Sequence, residues 1–143
     1  MAELLLIVRL AGERVALPAA AVEAVVEIDL VVPAPGTPPH VAGLAALRSR
    51  VLTVIDCPAA LGLAPGEALR RDAVVAVIDG HPYALLVEGV EDVIEADGER
   101  VPLPLRSDSL WRSVAKGMVA AEGKLLLLID VPALVAGPAS KAA

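Results

Sequence analysis

The chain has 143 residues, is 57% hydrophobic and 21% charged, and sets 12 basic against 18 acidic side chains for a formal charge of −6. That length fits one ordinary domain or two very small ones sharing a core, and an apolar fraction above the usual ~45–50% excludes a disordered chain and leaves apolar surface for a partner. The acidic balance argues against nucleic acid, and no Phe, one Tyr (Tyr83) and one Trp (Trp111) are too few rings to stack bases, sugars or flavins.

From the N-terminus, Glu3–Leu10 and Arg14–Leu17 read as strands joined at Gly12. An Ala-rich turn, Ala19–Ala21, leads into Val22–Ile28, where Glu23 and Glu27 stay wet while the valines pack. The Pro-rich stretch from Val32 to His40 reads as a stiff connection rather than a PxxP ligand. Next come Ala45–Arg48, a turn at Ser49-Arg50, the strand Val51–Asp56 and a short helix Pro58–Leu61 opened by its proline. The layout then recurs. Asp72–Ile78 and Tyr83–Val87 join at Asp79-Gly80, a dipeptide suited to the φ > 0 positions of a tight hairpin. Val119–Ala121, Glu122-Gly123, Lys124–Asp130 and a helix Pro132–Val135 follow. Pro18 and Pro82 disfavour continuous central strands where they stand.

The recurrence is a duplication. Gly12 and Gly80 align 68 positions apart (80 − 12), and the same offset lays Val22–Glu27 on Val90–Glu95 without a gap. A second block, Ala42 to Ala59, matches Lys116 to Ala133 at an offset of 74 (117 − 43, from the glycines), so repeat two carries six extra residues between its blocks. Repeat one runs over about 3–70 and repeat two over about 71–137, with 138–143 as a flexible tail. Gly and Pro interrupt every helical stretch, and about five short strands per repeat predict an all-β fold: two small barrels with a few short helices, packed together because each is too small for a strong core alone.

These residues resemble the CheW-like family, the adaptor domains of bacterial chemotaxis arrays. The likeness spans about Glu3 to Val135. It is carried by Leu10–Pro18, by Val22–Glu27, by Pro33–Leu44, by Ala46–Asp56 and by Leu86–Ile94. It implies two tandem five-stranded SH3-like barrels with a hydrophobic interface and room for strand exchange. It also implies a non-enzymatic role, with one surface for the regulatory domain of a CheA-like histidine kinase and another for the cytoplasmic tip of a chemoreceptor. Rings of adaptor alternating with kinase would follow from two unlike barrel ends. Two departures stand out. The family's Asn-Leu-Arg-Gly is Ala46-Leu47-Arg48-Ser49 here, and an acidic residue typical of the first half is Ala24, whereas Asp92 fills that place in repeat two.

The candidate partner-binding residues are Val22, Val25, Val41, Gly43, Leu44 and Arg48. Arg48 offers a fixed fork of donors to a carboxylate, against the plainer reading of an internal salt bridge or a solvated turn. Val22, Val25, Val41 and Leu44 either pack in the core or line an apolar groove for a receptor helix. Gly43, with its counterpart Gly117, serves a backbone bend or a close partner contact. Trp111 is either packed on the second barrel or an interface anchor. No catalytic, cofactor or metal site assembles. His40 and His81 sit in loops or turns without ligand spacing, Cys57 is a small buried side chain, and Ser107, Ser109 and Ser113 lack a neighbouring His. The acidic stripe Glu88, Glu91, Asp92 and Glu95 lacks a calcium loop's pattern and reads as a solvated face, and Arg70-Arg71 as a loop pair.

With one cysteine, no run near the ~20 residues of a spanning helix and no signal-peptide start, the expected location is cytoplasmic, at membrane-associated receptor arrays and without membrane insertion. Two other readings are a CheW-like module regulating a histidine kinase in another pathway without direct receptor coupling, and a small-molecule-binding barrel pair.

Overall fold

The computed structural model describes residues 3–63, 72–98, 100–102 and 110–137. Arg70-Arg71, Ser107, Ser109 and the tail 138–143 lie outside the described residues. Repeat one supplies β1 (Leu4–Leu10), β2 (Glu13–Pro18), β3 (Ala24–Glu27), β4 (Val41–Leu47), β5 (Arg50–Asp56) and a helical turn α1 (Cys57–Ala60). Repeat two supplies β6 (Asp72–Ile78), β7 (His81–Leu86), β8 (Gly89–Glu95), β9 (Ala115–Ala121), β10 (Lys124–Ile129) and α2 (Val131–Ala136). A 3-10 turn, Ala19–Ala21, follows β2.

The strands form two five-stranded sheets, and each draws on both repeats: β8-β1-β2-β10-β9 and β3-β6-β7-β5-β4. The exchange that the resemblance allowed is therefore complete. Strands one and two of either repeat sit beside strands three, four and five of the other. The registers carry the duplication into space, since Val25 faces Val74 as Val93 faces Leu6, and Thr53 faces Tyr83 as Leu127 faces Val15. Neither ladder is a closed ring of named strands. Instead the chain beyond β3 bends over to pair Val32 with Leu44 on β4, and the chain beyond β8 pairs Val101 with Met118 on β9. That SH3-like curl gives each sheet an interior.

Side-chain alternation divides the aliphatic residues among three cores. On β1, Leu5 and Ile7 fill the interior of the first barrel with Val119, Leu126 and Leu128. Leu6 and Val8 point the other way, into a seam shared with Val74, Ala76, Leu85, Ile55, Ile129 and Leu134. On β6, Ala73 and Val75 enter the second barrel's interior with Leu52 and Val54. Strands buried on both faces read as unbroken apolar runs, which is why Leu4–Val8 shows no polar alternation. Both helices open on a capping aspartate: Asp56 Oδ1 accepts the Ala59 N–H at 3.0 Å, and Asp130 Oδ1 accepts that of Ala133 at 3.2 Å.

Three local expectations change. The β4–β5 hairpin turns at Arg48-Ser49, both at positive φ (52° and 71°), so Arg50 belongs to β5 and Arg48 to the turn. A two-residue turn with both φ positive matches strand twist, and this outweighs the strain on two non-glycine residues. Pro82 lies inside β7, a central strand, because β5 begins to pair only at Tyr83 and the proline faces Val77 alone. His81 starts β7 instead of sitting in a turn, while His40 lies in the loop just before β4.

Candidate partner-docking face

On the second barrel, the segment Ile28–Val32 lies against β4 and the start of β5, leaving a groove of about 500 Å³. Leu30, Val32, Leu44, Ala46, Leu47 and Val51 line it, with Glu27 and Asp29 at its acidic side. Leu30 is 71% exposed, Val51 62% and Leu44 39%. Such clustering of large aliphatic side chains in water is costly unless something covers them.

Gly43 builds one wall. Its φ is 150°, and a Cβ there would collide with the Val32 carbonyl. The two hydrogen bonds joining Val32 and Leu44, both 2.8 Å, require that close approach, and a register shift in β4 falls at the same place. The bend therefore serves the protein's own backbone. Gly117 holds the equivalent place at φ 143°, with the Val101 carbonyl 2.9 Å from a would-be Cβ.

Of the six residues expected at a partner surface, Leu44 alone lines the groove, and Gly43 shapes it. Arg48 stands exposed at the tip of the hairpin that forms the wall, and no ion pair or side-chain hydrogen bond ties it to another described residue. Its neighbour Arg50 is held by Glu23 at 2.7 Å. Val25 is exposed on β3, on the face that Val74 directs into the seam. Val22 and Val41 are half-buried against the seam core. Leu30, Val32 and Val51 escaped the sequence reading. Their signal was weak: two large aliphatics beside a Pro-rich stretch, and a third next to a hairpin turn.

Other candidate chemistry resolves into structure. Cys57 is fully buried and burial pushes its thiol pKa up, so it is not a nucleophile. Both Glu88 carboxylate oxygens accept the Gly12 N–H, at 3.1 and 3.2 Å, and Glu91 pairs with Arg14 at 2.7 Å and with Arg9 at 3.7 Å. Glu88 and Glu91 of the acidic stripe thus fasten the start of β8 to a hairpin of the other repeat. Trp111 is half-buried against the seam. Among the described residues, no group of His, Cys, Asp and Glu is placed to hold a metal ion, and no helix is long and apolar enough to cross a membrane.

Comparison with known proteins adds to this geometry. A family model described as "CheW-like domain" matches residues 4–138. A probable chemotaxis protein CheW of Rhizobium etli is 33% identical over 111 residues, covering 76% of this chain and 72% of that protein. A chemotaxis protein CheW of Rhizobium meliloti is 33% identical over 101 residues, covering 69% and 65% respectively. Among solved structures, the scaffolding protein TtCheW from Thermoanaerobacter tengcongensis superposes with a TM-score of 0.77 at 25% identity, covering 90% of this chain and 89% of that one.

Proposed function

The chain belongs to the CheW-like domain family, and from that membership we infer that it is a non-enzymatic adaptor coupling a CheA-like histidine kinase to chemoreceptors in a chemotaxis array. The family match over residues 4–138 carries this reading. It acts by contact alone, in the cytoplasm beneath the receptors.

The apolar groove supplies one docking face. A partner segment seated on Leu30, Val32, Leu44 and Val51 removes apolar area from water at roughly 25 cal/mol per Å², and Arg48 at the rim offers a charge-assisted contact to a partner carboxylate. The other barrel carries a different tip. Its β9–β10 turn is Glu122-Gly123, acidic where the first is basic, and Leu125 beside it is 59% exposed. Unlike ends on related barrels suit alternation with kinase around a ring, in which interfaces near the ~1,600 Å² standard size gain strength from multivalency.

Co-sedimentation with the kinase regulatory domain and with receptor tips tests the reading. Leu44→Asp and Arg48→Glu should each weaken one of the two partners by about tenfold, equivalent to ~1.4 kcal/mol, with unchanged circular dichroism. Full binding by Arg48→Glu would remove that arginine from the interface. Kinase binding with no receptor binding by the wild type would instead favour kinase regulation in another pathway.

A further inference from the structure

One wall of the groove is the edge of a sheet, and that edge is open at Ala46. Val32 and Leu44 exchange both backbone bonds at 2.8 Å, so the Leu44 N–H and C=O point away from β5. Backbone groups alternate in direction along an antiparallel strand, and β4 pairs with β5 without a shift from Gly43 to Leu47. The N–H and C=O of Ala46 therefore point the same way as those of Leu44. No described residue bonds either of them. Ala46 lines the groove and is exposed.

The duplication provides an internal control. Ala120 stands at the matching place on β9 (120 − 46 = 74), and its carbonyl accepts the Asp97 N–H at 2.7 Å. The Asp97 carboxylate also accepts the Gly123 N–H at 3.4 Å, tying the same segment to the β9–β10 turn. Asp29 holds the place of Asp97 in repeat one (97 − 29 = 68), yet no bond joins it to Ala46. The first barrel thus closes with its own chain an edge that the second leaves to solvent.

We propose, on the reading of the groove as a docking face, that it accepts an extended segment of a partner protein, added to β4 as a further strand at Ala46. Such a strand brings unpaired N–H and C=O groups to meet those of Ala46, whereas a helix satisfies its own internally. Every second side chain of the added strand falls among Leu30, Leu44 and Val51, so the segment carries alternating apolar residues. Charge sets what flanks them. Glu27 lines the groove and faces Asp72 across the β3–β6 ladder, and neither is ion-paired to a described residue. Like charges directly opposite repel, and a Lys or Arg beside the apolar run of the partner relieves that repulsion.

Co-sedimentation and amide exchange on the full chain, with the kinase regulatory domain and the receptor tips as probes, test this. Ala46→Pro removes the open N–H and spares the β5 ladder, because proline is tolerated where an edge strand's N–H faces water. It should weaken by about tenfold the partner that Leu44→Asp also weakens, while Ala46→Ser, which keeps the donor, binds as wild type. In the wild-type complex with that partner, the Ala46 amide should exchange about tenfold more slowly than in the free chain. The amides of Ala45 and Leu47, already directed at β5, should change little. This readout is decisive even if Ala46→Pro does not fold. Glu27→Lys should raise the melting temperature yet weaken the same partner, since it removes the repulsion that the partner's cation relieves. Unchanged binding by Glu27→Lys overturns the basic flank. A partner that Leu44→Asp loses, but that leaves the wild-type Ala46 amide at its free rate, overturns strand addition and leaves the adaptor reading intact. Failure of the wild type to bind either probe overturns both. A dimer of the free chain that Ala46→Pro dissolves makes the occupant a second copy and overturns the partner assignment.

Discussion

Ser49 sits at φ 71° behind Arg48 at φ 52°, and the matching turn of repeat two sets Gly123 at φ 74° behind Glu122 at φ 53°. Glycine takes that left-handed conformation without a Cβ clash, whereas serine is strained in it. Ser49→Gly should therefore stabilise the fold by about 0.5–1 kcal/mol and Gly123→Ser destabilise it by a similar amount, read as shifts in urea midpoint at constant m-value. Because Arg48 keeps its place at the tip, Ser49→Gly should leave partner affinity unchanged. Cys57 offers a second check at this scale. Burial raises its thiol pKa, so the native side chain stays neutral while the unfolded chain's thiol ionises above about pH 9. This contribution to stability is full below that pH and lost above it. An aromatic disulfide reagent at pH 8 should leave the folded protein unmodified and label it within minutes in denaturant. Rapid labelling without denaturant would contradict the buried assignment.

At the scale of elements, Gly43 connects strand geometry to the groove. An added Cβ must displace the Val32 carbonyl, which breaks the two bonds that curl the Ile28–Val32 segment onto β4. Gly43→Ala should cost about 1–3 kcal/mol by calorimetry, the usual range for forcing extra volume into a packed place, and should flatten the groove. Gly117→Ala meets the Val101 carbonyl at the looser distance of 2.9 Å and should cost less. The strands themselves were legible because turn glycines and prolines punctuate aliphatic runs: β1, β6 and the Asp79-Gly80 hairpin lie where the pattern puts them. Period-two alternation fails as a guide wherever both strand faces are buried. The sequence pattern therefore could not say which of Leu5 and Leu6 enters a barrel and which the seam. The candidate docking groove was less legible for a related reason. Val22, Val25, Val41 and Leu44 are similar aliphatic side chains, and only tertiary placement turns Leu44 into the groove and sets Val41 half-buried against the seam core. The capping role of Asp56 and Asp130 was readable in principle, since each precedes an X-Pro pair at a helix start.

At the scale of the whole molecule, the ladders show what holds the repeats together. Among the described residues, the ladders within a repeat are hairpins, β1–β2, β4–β5, β6–β7 and β9–β10, supplemented by the isolated bridges Val32–Leu44 and Val101–Met118. Every other ladder crosses between repeats, including both parallel ones, β2–β10 and β5–β7. An isolated hairpin is marginal in water, and without the other repeat the seam residues Leu6, Val8, Val74 and Leu85 lose their partners. Neither half should fold alone, although the two should fold together. Cutting the chain between Leu63 and Asp72 severs the connection between the repeats and none of these ladders. Each half expressed separately should lack a cooperative thermal transition, and mixing them should restore one in a one-to-one complex by size-exclusion chromatography. The complex should melt below the intact chain and more so on dilution, because linking the halves raises their effective concentration. A half that melts cooperatively as a monomer would show that its own strands can close a barrel, and the exchange would then be a choice of partner instead of a condition of folding.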